Sequence, residues 1–279
     1  MYRLAETLVL KVGGSLKQDS LEAVVQAVES ALGSGKSICV VHGGGPRITA
    51  ALEKHQIQLP FVDGQRMTTP AAMEIVEQVL KDINREIVQQ LLDAGLPAVA
   101  VPVEMGVLQA SPVPGLERTA RVGGVDTSVL KQWTGDGRVP VIAPVAKGST
   151  GESYNVNADI AAGAIAGAWQ AERAVFLTDV AGIYKDFERG ELLTYAAVDD
   201  LKKLLASGSF TAGMIPKVGA VLEAIARGVH HAFVVDGRNR KAVTWAVSSD
   251  LNDSGGELPL GTRISLHGRD KDEFADDAV

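Results

Sequence analysis

Two segments with the same pattern decide the fold: LVLKVGGSL covers Leu8–Leu16, and ICVVHGGGP covers Ile38–Pro46. Each begins as a short apolar run rich in β-branched residues and then reaches consecutive glycines. A short apolar run without polar alternation is typical of a strand that is buried on both faces of a parallel sheet. Both segments therefore predict a strand and a tight turn, with Lys11 and His42 at the carboxyl ends of the strands.

Apolar runs of the same kind recur and alternate with amphipathic stretches. They predict strands at AVAVPV (98–103), VPVIAP (139–144), RAVFLTD (173–179) and HAFVVD (231–236). The longest amphipathic stretch, residues 71–95, has apolar residues at helical spacing and ends at Gly95, a favoured helix-terminating residue. Buried strands alternating with amphipathic helices predict an α/β fold with a mainly parallel sheet covered on both faces.

Two regions depart from this alternation. Residues 104–125 carry prolines and glycines between short extended pieces, which predicts a hairpin or flap over the sheet edge. From residue 266 to residue 279 the chain becomes charged and poor in apolar residues, and we expect a disordered acidic tail.

Composition and net charge indicate which classes of protein are not expected here. The chain has 279 residues and a formal net charge of −7, which gives no reason to expect nucleic-acid or anionic-membrane binding across the whole surface, although a local basic pocket for a phosphorylated ligand remains open. The single cysteine, Cys39, lies in an apolar run and is predicted to be a buried strand residue. No signal-peptide pattern is seen at the start, and no apolar run approaches the ~18 residues of a membrane helix. We therefore expect a cytoplasmic protein.

The glycines after the two strands predict an anion site. Ligands of open α/β sheets bind beyond the carboxyl ends of the strands, so Lys11 lies toward the expected site. In HGGGP, three glycines before Pro46 and a helix from Arg47 predict a row of free N–H donors, which favours a phosphate or a developing oxyanion. The spacing matches neither a Walker loop nor a dinucleotide-binding fingerprint. His42 is expected to pack and hydrogen-bond within the turn, without a catalytic role.

Polar residues precede two further predicted helices. FVDGQRMTTP (61–70) places Arg66 in an extended segment, where its guanidinium suits a bidentate carboxylate contact. In SYNVNAD (153–159), Asn155, Asn157 and Asp159 alternate before a helix of small residues. A helix cap explains one such residue but not the set, which predicts a functional site.

Two motifs in the second half also lie at the ends of predicted elements. LTDVAGIY (177–184) follows a strand with Thr178 and Asp179. GMIPKV (213–218) places Lys217 at the start of a helix, just after Met214. A cation is unfavourable at a helix N-terminus, so the sequence predicts an anionic partner for Lys217.

Taken in order, KVGGSL, VVHGGGP, GQRMTTP, YNVNADIAA, LTDVAGIY and GMIPKV resemble the motifs of the amino acid kinase family. Within that family, the residues of these motifs are most similar to those of the members that phosphorylate N-acetyl-L-glutamate in arginine biosynthesis. The resemblance covers residues 8–264 and implies a three-layer αβα sandwich with a mainly parallel central sheet. It also implies one kinase domain, residues 1–265, with a lobe at about 1–170 for the acyl amino acid and a lobe at about 171–265 for ATP.

The resemblance assigns catalytic roles to three residues. Lys11 and Lys217 would meet the transferring phosphoryl group from opposite sides, and Asp159 would hold both lysines. Gly44 and Gly45 would donate backbone N–H bonds near the transferring group and the substrate. The accepting carboxylate is ionised at neutral pH, so no general base is required, and positive charge with positioning must offset the repulsion between carboxylate and phosphate.

The resemblance assigns the remaining site residues to ligand binding. Arg66 and Asn155 would hold the α-carboxylate of N-acetyl-L-glutamate. The residues expected to line ATP are Gly13, Gly14, Thr178, Asp179, Tyr184 and Met214. Mg²⁺ would be held mainly by the nucleotide, with no metal ligands expected from the protein.

The match departs from the family pattern in two places. Gly124 stands where the family carries an acid, and we expect a shortened strand after the flap at residues 123–126. The first strand begins near Thr7, without the additional N-terminal helix of arginine-inhibited hexameric members, so we expect an arginine-insensitive homodimer. Two other functions remain open: an aminoadipate kinase of carrier-protein lysine synthesis, and a non-catalytic nucleotide or amino-acid sensor.

Overall fold

The structure is a computed structural model, and it describes residues 6–13, 18–62, 64–210, 213–249 and 259–267. The predicted acidic tail therefore lies outside the described residues, apart from its first two positions. Gly14, expected to line the nucleotide, also lies outside them. No helix in the described part of the chain is long and apolar enough to cross a membrane.

The described residues form strands and helices in alternation. The strands are β1 (Thr7–Val12), β2 (Ser37–His42), β3 (Phe61–Val62), β4 (Gln65–Arg66), β5 (Ala98–Ala100), β6 (Leu108–Pro112), β7 (Ala120–Val125), β8 (Val139–Ile142), β9 (Val145–Lys147), β10 (Ser153–Asn155), β11 (Arg173–Thr178), β12 (Tyr184–Asp186), β13 (Glu191–Leu192), β14 (Tyr195–Ala197), β15 (His231–Asp236) and β16 (Thr262–Ser265). The helices are α1 (Gln18–Gly33), α2 (Gly45–Lys54), α3 (Pro70–Asp93), α4 (Ser128–Gly135), α5 (Ala158–Trp169), α6 (Val198–Ala206), α7 (Ile215–Ala226) and α8 (Arg240–Ser248).

The central sheet has eight strands in the order β14-β16-β15-β11-β1-β2-β8-β5. The six strands from β15 to β5 are parallel, and only the pairing of β15 with β16 is antiparallel. The chain order reverses at β1, which pairs with β2 on one side and with β11 on the other. Ligand sites of open α/β sheets form at such a switch point, and Lys11 lies near the carboxyl end of the strand that creates it.

Helices cover both faces of this sheet. Along β1 the side chains alternate between the faces: Val9 packs into a core with α4, α5, α6 and α7, while Leu8 and Leu10 pack into a core with α1, α3 and α8. Each central strand is buried on both sides, which explains its unbroken apolar sequence. The predicted three-layer αβα sandwich with a mainly parallel sheet is confirmed.

The predicted hairpin is also present. Strands β6 and β7 pair antiparallel and belong to a second sheet of order β10-β9-β6-β7, whose β7 packs against α5. The expectation of a shortened strand after the flap is wrong. Gly124 lies within β7, which ends at Val125, and the next element is helix α4 and not a strand. The carboxylate of Asp126 accepts a hydrogen bond from the backbone N–H of Ser128 at 2.9 Å, which turns the chain into that helix.

Helix boundaries differ slightly from the sequence-based expectations. Helix α1 begins at Gln18. Helix α2 begins at Gly45 rather than at Arg47. Pro46 is tolerated there because the N–H groups of a first helical turn have no intrahelical acceptor.

Candidate active site

A buried charge cluster lies at the switch point of the sheet. The Nζ of Lys11 is 2.7 Å from Oδ1 of Asp159, and the Nζ of Lys217 is 3.2 Å from Oδ2 of the same carboxylate. Lys11 and Asp159 are buried, with 5% and 6% of their surface exposed. The anionic partner predicted for Lys217 is therefore Asp159, and the structure brings these three site residues together.

The two helices of this cluster begin next to each other. Asn157 caps α5 by accepting hydrogen bonds from the backbone N–H groups of Asp159 and Ile160, at 2.8 and 3.3 Å. This places the carboxylate of Asp159 in the first turn, where the helix dipole favours a negative charge. Lys217 lies in the first turn of α7, where the dipole opposes its charge, so the ion pair with Asp159 offsets an unfavourable position.

The cluster is electropositive as a unit. Burial raises the pKa of Asp159, but Lys11 and Lys217 together outweigh burial, and the pKa of this carboxyl lies below its ordinary value. Burial lowers the pKa of the Lys11 ammonium, and Lys217 adds to that effect, while Asp159 and Asp179 oppose it. An ionised aspartate between two lysines leaves an excess positive charge, which an anionic ligand would neutralise.

The glycine turn after β2 contributes fewer free donors than the sequence predicts. The N–H of Gly43 donates to the carbonyl of Val12 at 2.9 Å, so the expected row of three donors is reduced to the N–H groups of Gly44 and Gly45. Gly44 is the N-cap of α2 and Gly45 is its first residue. The first N–H groups of a helix have no intrahelical acceptor, so this turn remains suited to an anion.

Arg66 is a buried cation whose charge is not neutralised by a protein carboxylate. Only 8% of its surface is exposed, its Nη2 donates to Oγ1 of Thr49 at 2.6 Å, and its guanidinium lies 4.4 Å from the ring centroid of Phe61. Burial lowers its pKa. Within the described residues, no aspartate or glutamate forms an ion pair with it. A buried, unpaired guanidinium is costly and is a suitable partner for a ligand carboxylate.

Asn155 is held beside Arg66 by threonines. The Nδ2 of Asn155 donates to Oγ1 of Thr68 at 3.2 Å, and Thr68 Oγ1 donates to the backbone carbonyl of Arg66 at 2.9 Å. Thr119 also donates to that carbonyl, at 2.5 Å. The two ligand-binding residues predicted for one carboxylate are thus linked through Thr68, although Arg66 and Asn155 are far apart in the sequence.

One cleft joins the charge cluster to Arg66. It has a volume of about 240 Å³ and is open to solvent. The predicted site residues that line it are Lys11, Gly44, Gly45, Arg66, Asn155 and Asp159. Phe61, Ile48, Leu80, Pro144 and Val156 form apolar parts of its wall. An elongated ligand with one anionic end at Arg66 and a second at Lys11 fits this arrangement of charges.

Those residues predicted for a nucleotide that the structure describes do not line this cleft. Gly13 follows β1 directly, and Asp179 follows β11. The hydroxyl of Thr178 accepts from the N–H of Val180 at 3.2 Å and lies 2.7 Å from the carbonyl of the same residue, so it stabilises its own turn. The nucleotide-binding roles of these residues remain predictions.

The other two predicted nucleotide residues are Tyr184 and Met214. The ring of Tyr184 packs edge-on against Phe187, with 5.1 Å between the ring centroids. Met214 is the N-cap residue of α7 and packs against the hydrophobic core on one face of the central sheet. The nucleotide-binding roles of these two residues, and the lobe predicted to contain them, also remain predictions.

Sequence reasoning missed several residues that build the site. Thr49, Phe61, Thr68 and Thr119 position Arg66 and Asn155, but single threonines and an exposed aromatic give no sequence signal of such a role. Asn84, in the middle of α3, is 5% exposed and reaches the glycine turn. A buried asparagine within an apolar helical face was the available signal, since such a residue needs hydrogen-bond partners.

Comparison with known proteins places the chain among kinases. The model of the amino acid kinase family matches residues 6–236. The chain is 39% identical over 262 residues to an acetylglutamate kinase of Nitratidesulfovibrio vulgaris (strain DP4), covering 88% of this chain and 84% of that protein. It is 38% identical over 276 residues to an acetylglutamate kinase of Geotalea daltonii, covering 93% of this chain and 91% of that protein.

Solved structures share the fold at lower sequence identity. The N-acetylglutamate synthase of Neisseria gonorrhoeae, complexed with coenzyme A and N-acetyl-glutamate, has a TM-score of 0.80 at 19% identity; the match covers 93% of this chain and 59% of that chain. A carbamate kinase of Giardia lamblia bound to AMP-PNP has a TM-score of 0.69 at 15% identity, covering 94% of this chain and 98% of that chain. At these identities the likeness concerns the fold alone.

Proposed function

Because the chain belongs to the amino acid kinase family, we propose that it transfers the γ-phosphoryl group of ATP to the γ-carboxylate of N-acetyl-L-glutamate. The product would be N-acetyl-L-glutamyl 5-phosphate, the acyl phosphate of arginine biosynthesis. The names of the similar proteins support this choice of acid.

The observation that carries the proposal is the buried, carboxylate-free Arg66 in the same cleft as the Lys11–Asp159–Lys217 cluster. An acyl amino acid with two carboxylates would place its α-carboxylate on Arg66 and its γ-carboxylate beside Lys11. The apolar wall between these charges would contact the methylene groups and the acetyl group. Asn155 would supply a further hydrogen bond at the Arg66 end.

The reaction requires positive charge near the phosphoryl group and alignment of the two reactants, and it needs no general base. A γ-carboxylate oxygen forms a bond to the γ-phosphorus while the bond to the β–γ bridging oxygen breaks, so ADP leaves and no proton moves. Lys11 and Lys217 would neutralise the charge on the phosphoryl oxygens, and the N–H groups of Gly44 and Gly45 would bind it from the side of α2. Asp159 would hold both ammonium groups in place. Such preorganised donors are worth about 10²- to 10³-fold each in rate.

Mg²⁺ would enter with the nucleotide, where it neutralises charge on the β- and γ-phosphates. The described residues contain no group of three or more His, Cys, Asp or Glu side chains that could hold a metal. Both carboxylate oxygens of Asp159 already face lysines.

We propose that ATP lies against Gly13, Thr178, Asp179, Tyr184 and Met214 in a C-terminal lobe of about 171–265, and that the acid lies in the lobe of about 1–170.

The direct test is acyl-phosphate formation by the purified protein. Mg²⁺, ATP and hydroxylamine are supplied with N-acetyl-L-glutamate, and the trapped hydroxamate is measured. N-acetyl-L-aspartate and an N-acylated α-aminoadipate serve as shorter and longer acids. Hydroxamate from N-acetyl-L-glutamate at the highest kcat/KM supports the proposal, while a preference for the longer acid assigns an aminoadipate kinase. ATP binding without hydroxamate from any acid would make the protein a sensor.

A further inference from the structure

A buried hydrogen-bonded pair lies directly behind the glycine turn. His42 is fully buried at the end of β2, and its Nε2 is 3.2 Å from Nδ2 of Asn84 on α3. The same Nδ2 donates to the backbone carbonyl of Val141 at 3.0 Å, and Nδ1 of His42 is 3.1 Å from the carbonyl of Gly43. The reaction described above uses neither side chain, yet both are buried and polar behind the glycine turn that lines the cleft.

The network determines which imidazole nitrogen carries the proton. The Val141 carbonyl can only accept, so the amide nitrogen of Asn84 must face it, and the second hydrogen of this nitrogen is then directed to His42. Nε2 of His42 therefore accepts, and Nδ1 carries the proton that it donates to the Gly43 carbonyl. Burial lowers the pKa of His42 to about 4, which keeps the ring neutral in this tautomer at neutral pH.

The bond to the Gly43 carbonyl has a consequence for the anion site. A peptide unit is planar and trans, so the carbonyl of Gly43 and the N–H of Gly44 point in opposite directions from one rigid plane. Fixing the carbonyl against His42 therefore fixes the direction of the Gly44 N–H. The preceding peptide is fixed as well, because the Gly43 N–H donates to Val12 on β1.

Helix α3 holds the same turn by packing. A β-carbon added to Gly44 would lie 2.7 Å from Leu80 and 3.2 Å from Ile83, and both of these residues are on α3. The turn therefore rests on α3 without any gap, and Asn84 is the polar residue at this contact. Steric packing sets the distance of the turn from the helix, while the hydrogen bonds set the rotation of its peptide planes.

We propose that Asn84 is a positioning residue of the active site, acting through His42 to aim the Gly44 N–H at the anion that reacts in the cleft. Only the identity of that anion, the γ-phosphoryl group or the accepting carboxylate, rests on the proposed function. Asn84 touches no reacting group, so its loss should reduce kcat while leaving ground-state binding at Arg66 and at the nucleotide site almost unchanged.

The kinetic test uses Asn84→Leu, which keeps the number and branching of the side-chain heavy atoms but removes the donor. We expect kcat to fall roughly 10- to 100-fold, since small misplacements of catalytic groups have such effects, with both KM values within about threefold of wild type. His42→Gln retains one donor and one acceptor and should keep more activity than His42→Leu. Ile87→Val, a buried apolar change on the same helix, is the matched control for a loss of packing.

The double variant His42→Leu/Asn84→Leu separates catalysis from stability. It removes both buried polar partners together, so its melting temperature should exceed that of at least one single variant. Its kcat should stay low, because nothing then holds the Gly43 carbonyl. The proposal is overturned if kcat follows melting temperature across all variants, including Ile87→Val, or if the loss appears in KM instead.

A measurement independent of substrate tests the geometry itself. The ¹⁵N resonances of the His42 ring should report the Nδ1–H tautomer in the wild type, and Asn84→Leu should raise the pH at which this ring titrates or alter its tautomer. An Nε2–H tautomer in the wild type would overturn the inference. Absence of acyl phosphate in the wild type would instead refute the proposed function, and the two failures are therefore distinguishable.

Discussion

Gly163 on α5 faces the backbone carbonyl of Ala220 on α7 so closely that a β-carbon on Gly163 would lie 2.7 Å from that oxygen. These two helices carry Asp159 and Lys217, whose side chains meet at 3.2 Å. The approach of the helices, which needs a glycine at this position, therefore sets the spacing of the charge cluster. A contact one turn beyond the ion pair controls the geometry of the site.

Gly163→Ala should separate α5 from α7 and weaken the contact between Asp159 and Lys217. We expect a loss of roughly 1–3 kcal/mol in unfolding free energy from overpacking, together with a fall in kcat that exceeds any rise in the KM for the acid. Gly219→Ala is the matched control, since a β-carbon there meets nothing within 4 Å. The control should gain about 0.5–1 kcal/mol through helix propensity. Equal kcat in the two variants would contradict the spacing argument.

Asp159→Asn removes the charge that holds two lysines in place. The lysines would then repel each other across a neutral amide, and Lys11 would stay buried without an ion-pair partner. We expect kcat to fall at least about 10²-fold and the unfolding free energy to fall by about 3–5 kcal/mol. Chemical denaturation and single-turnover kinetics measure the two effects. Full activity with normal stability would show that Asp159 does not position the lysines.

Arg66→Met should weaken substrate binding without lowering stability, unlike Asp159→Asn, which should lower both activity and stability. The variant replaces a buried, unpaired guanidinium with an apolar chain, so the free protein should be as stable as the wild type or more stable. The KM for the proposed acid, N-acetyl-L-glutamate, should rise by about 10- to 100-fold, as expected for losing a charge-assisted contact worth about 1.5–3 kcal/mol. The KM for ATP should be unchanged. A destabilised variant with normal substrate KM would show that Arg66 is structural.

The sheet could be predicted because each of its central strands is buried on both faces. That burial demands unbroken apolar runs such as the one from Leu8 to Leu10, and glycines mark where they end. The helix that follows the flap could not be predicted in the same way. Residues 125–130 are rich in β-branched side chains, but the hydrogen bond from Ser128 to Asp126 starts α4 there.

Local sequence patterns predict the residue types of the site but not its bonds, and only the family resemblance implied that Asp159 holds both lysines. Lys217 at a helix start requires an anionic partner, a local argument, whereas the choice of Asp159 depends on how α5 and α7 pack. Likewise, three glycines predict three donors, but the register between β1 and β2 directs the Gly43 N–H to Val12. Tertiary contacts of this kind have no local sequence signal.

The buried His42 predicts a pH dependence of stability with a definite sign. Its pKa is about 4 in the folded protein and about 6.5 when the chain is unfolded, so the unfolded state binds more protons between these values. Its contribution is fully present above about pH 6.5 and is lost as pH falls toward 4, with a slope of at most about 1.4 kcal/mol per pH unit. The total loss is about 3 kcal/mol.

Comparison with His42→Gln isolates this contribution, because every other titrating group is shared by the two proteins. Unfolding free energies from urea titrations at pH 7.5 down to about pH 4.5 should fall more steeply for the wild type than for the variant. The difference in unfolding free energy between the two proteins should be constant above neutral pH and should change, to the disadvantage of the wild type, only below about pH 6.5. Parallel curves over the whole range would mean that His42 is protonated as readily in the folded protein as in the unfolded chain, contrary to its burial behind the glycine turn.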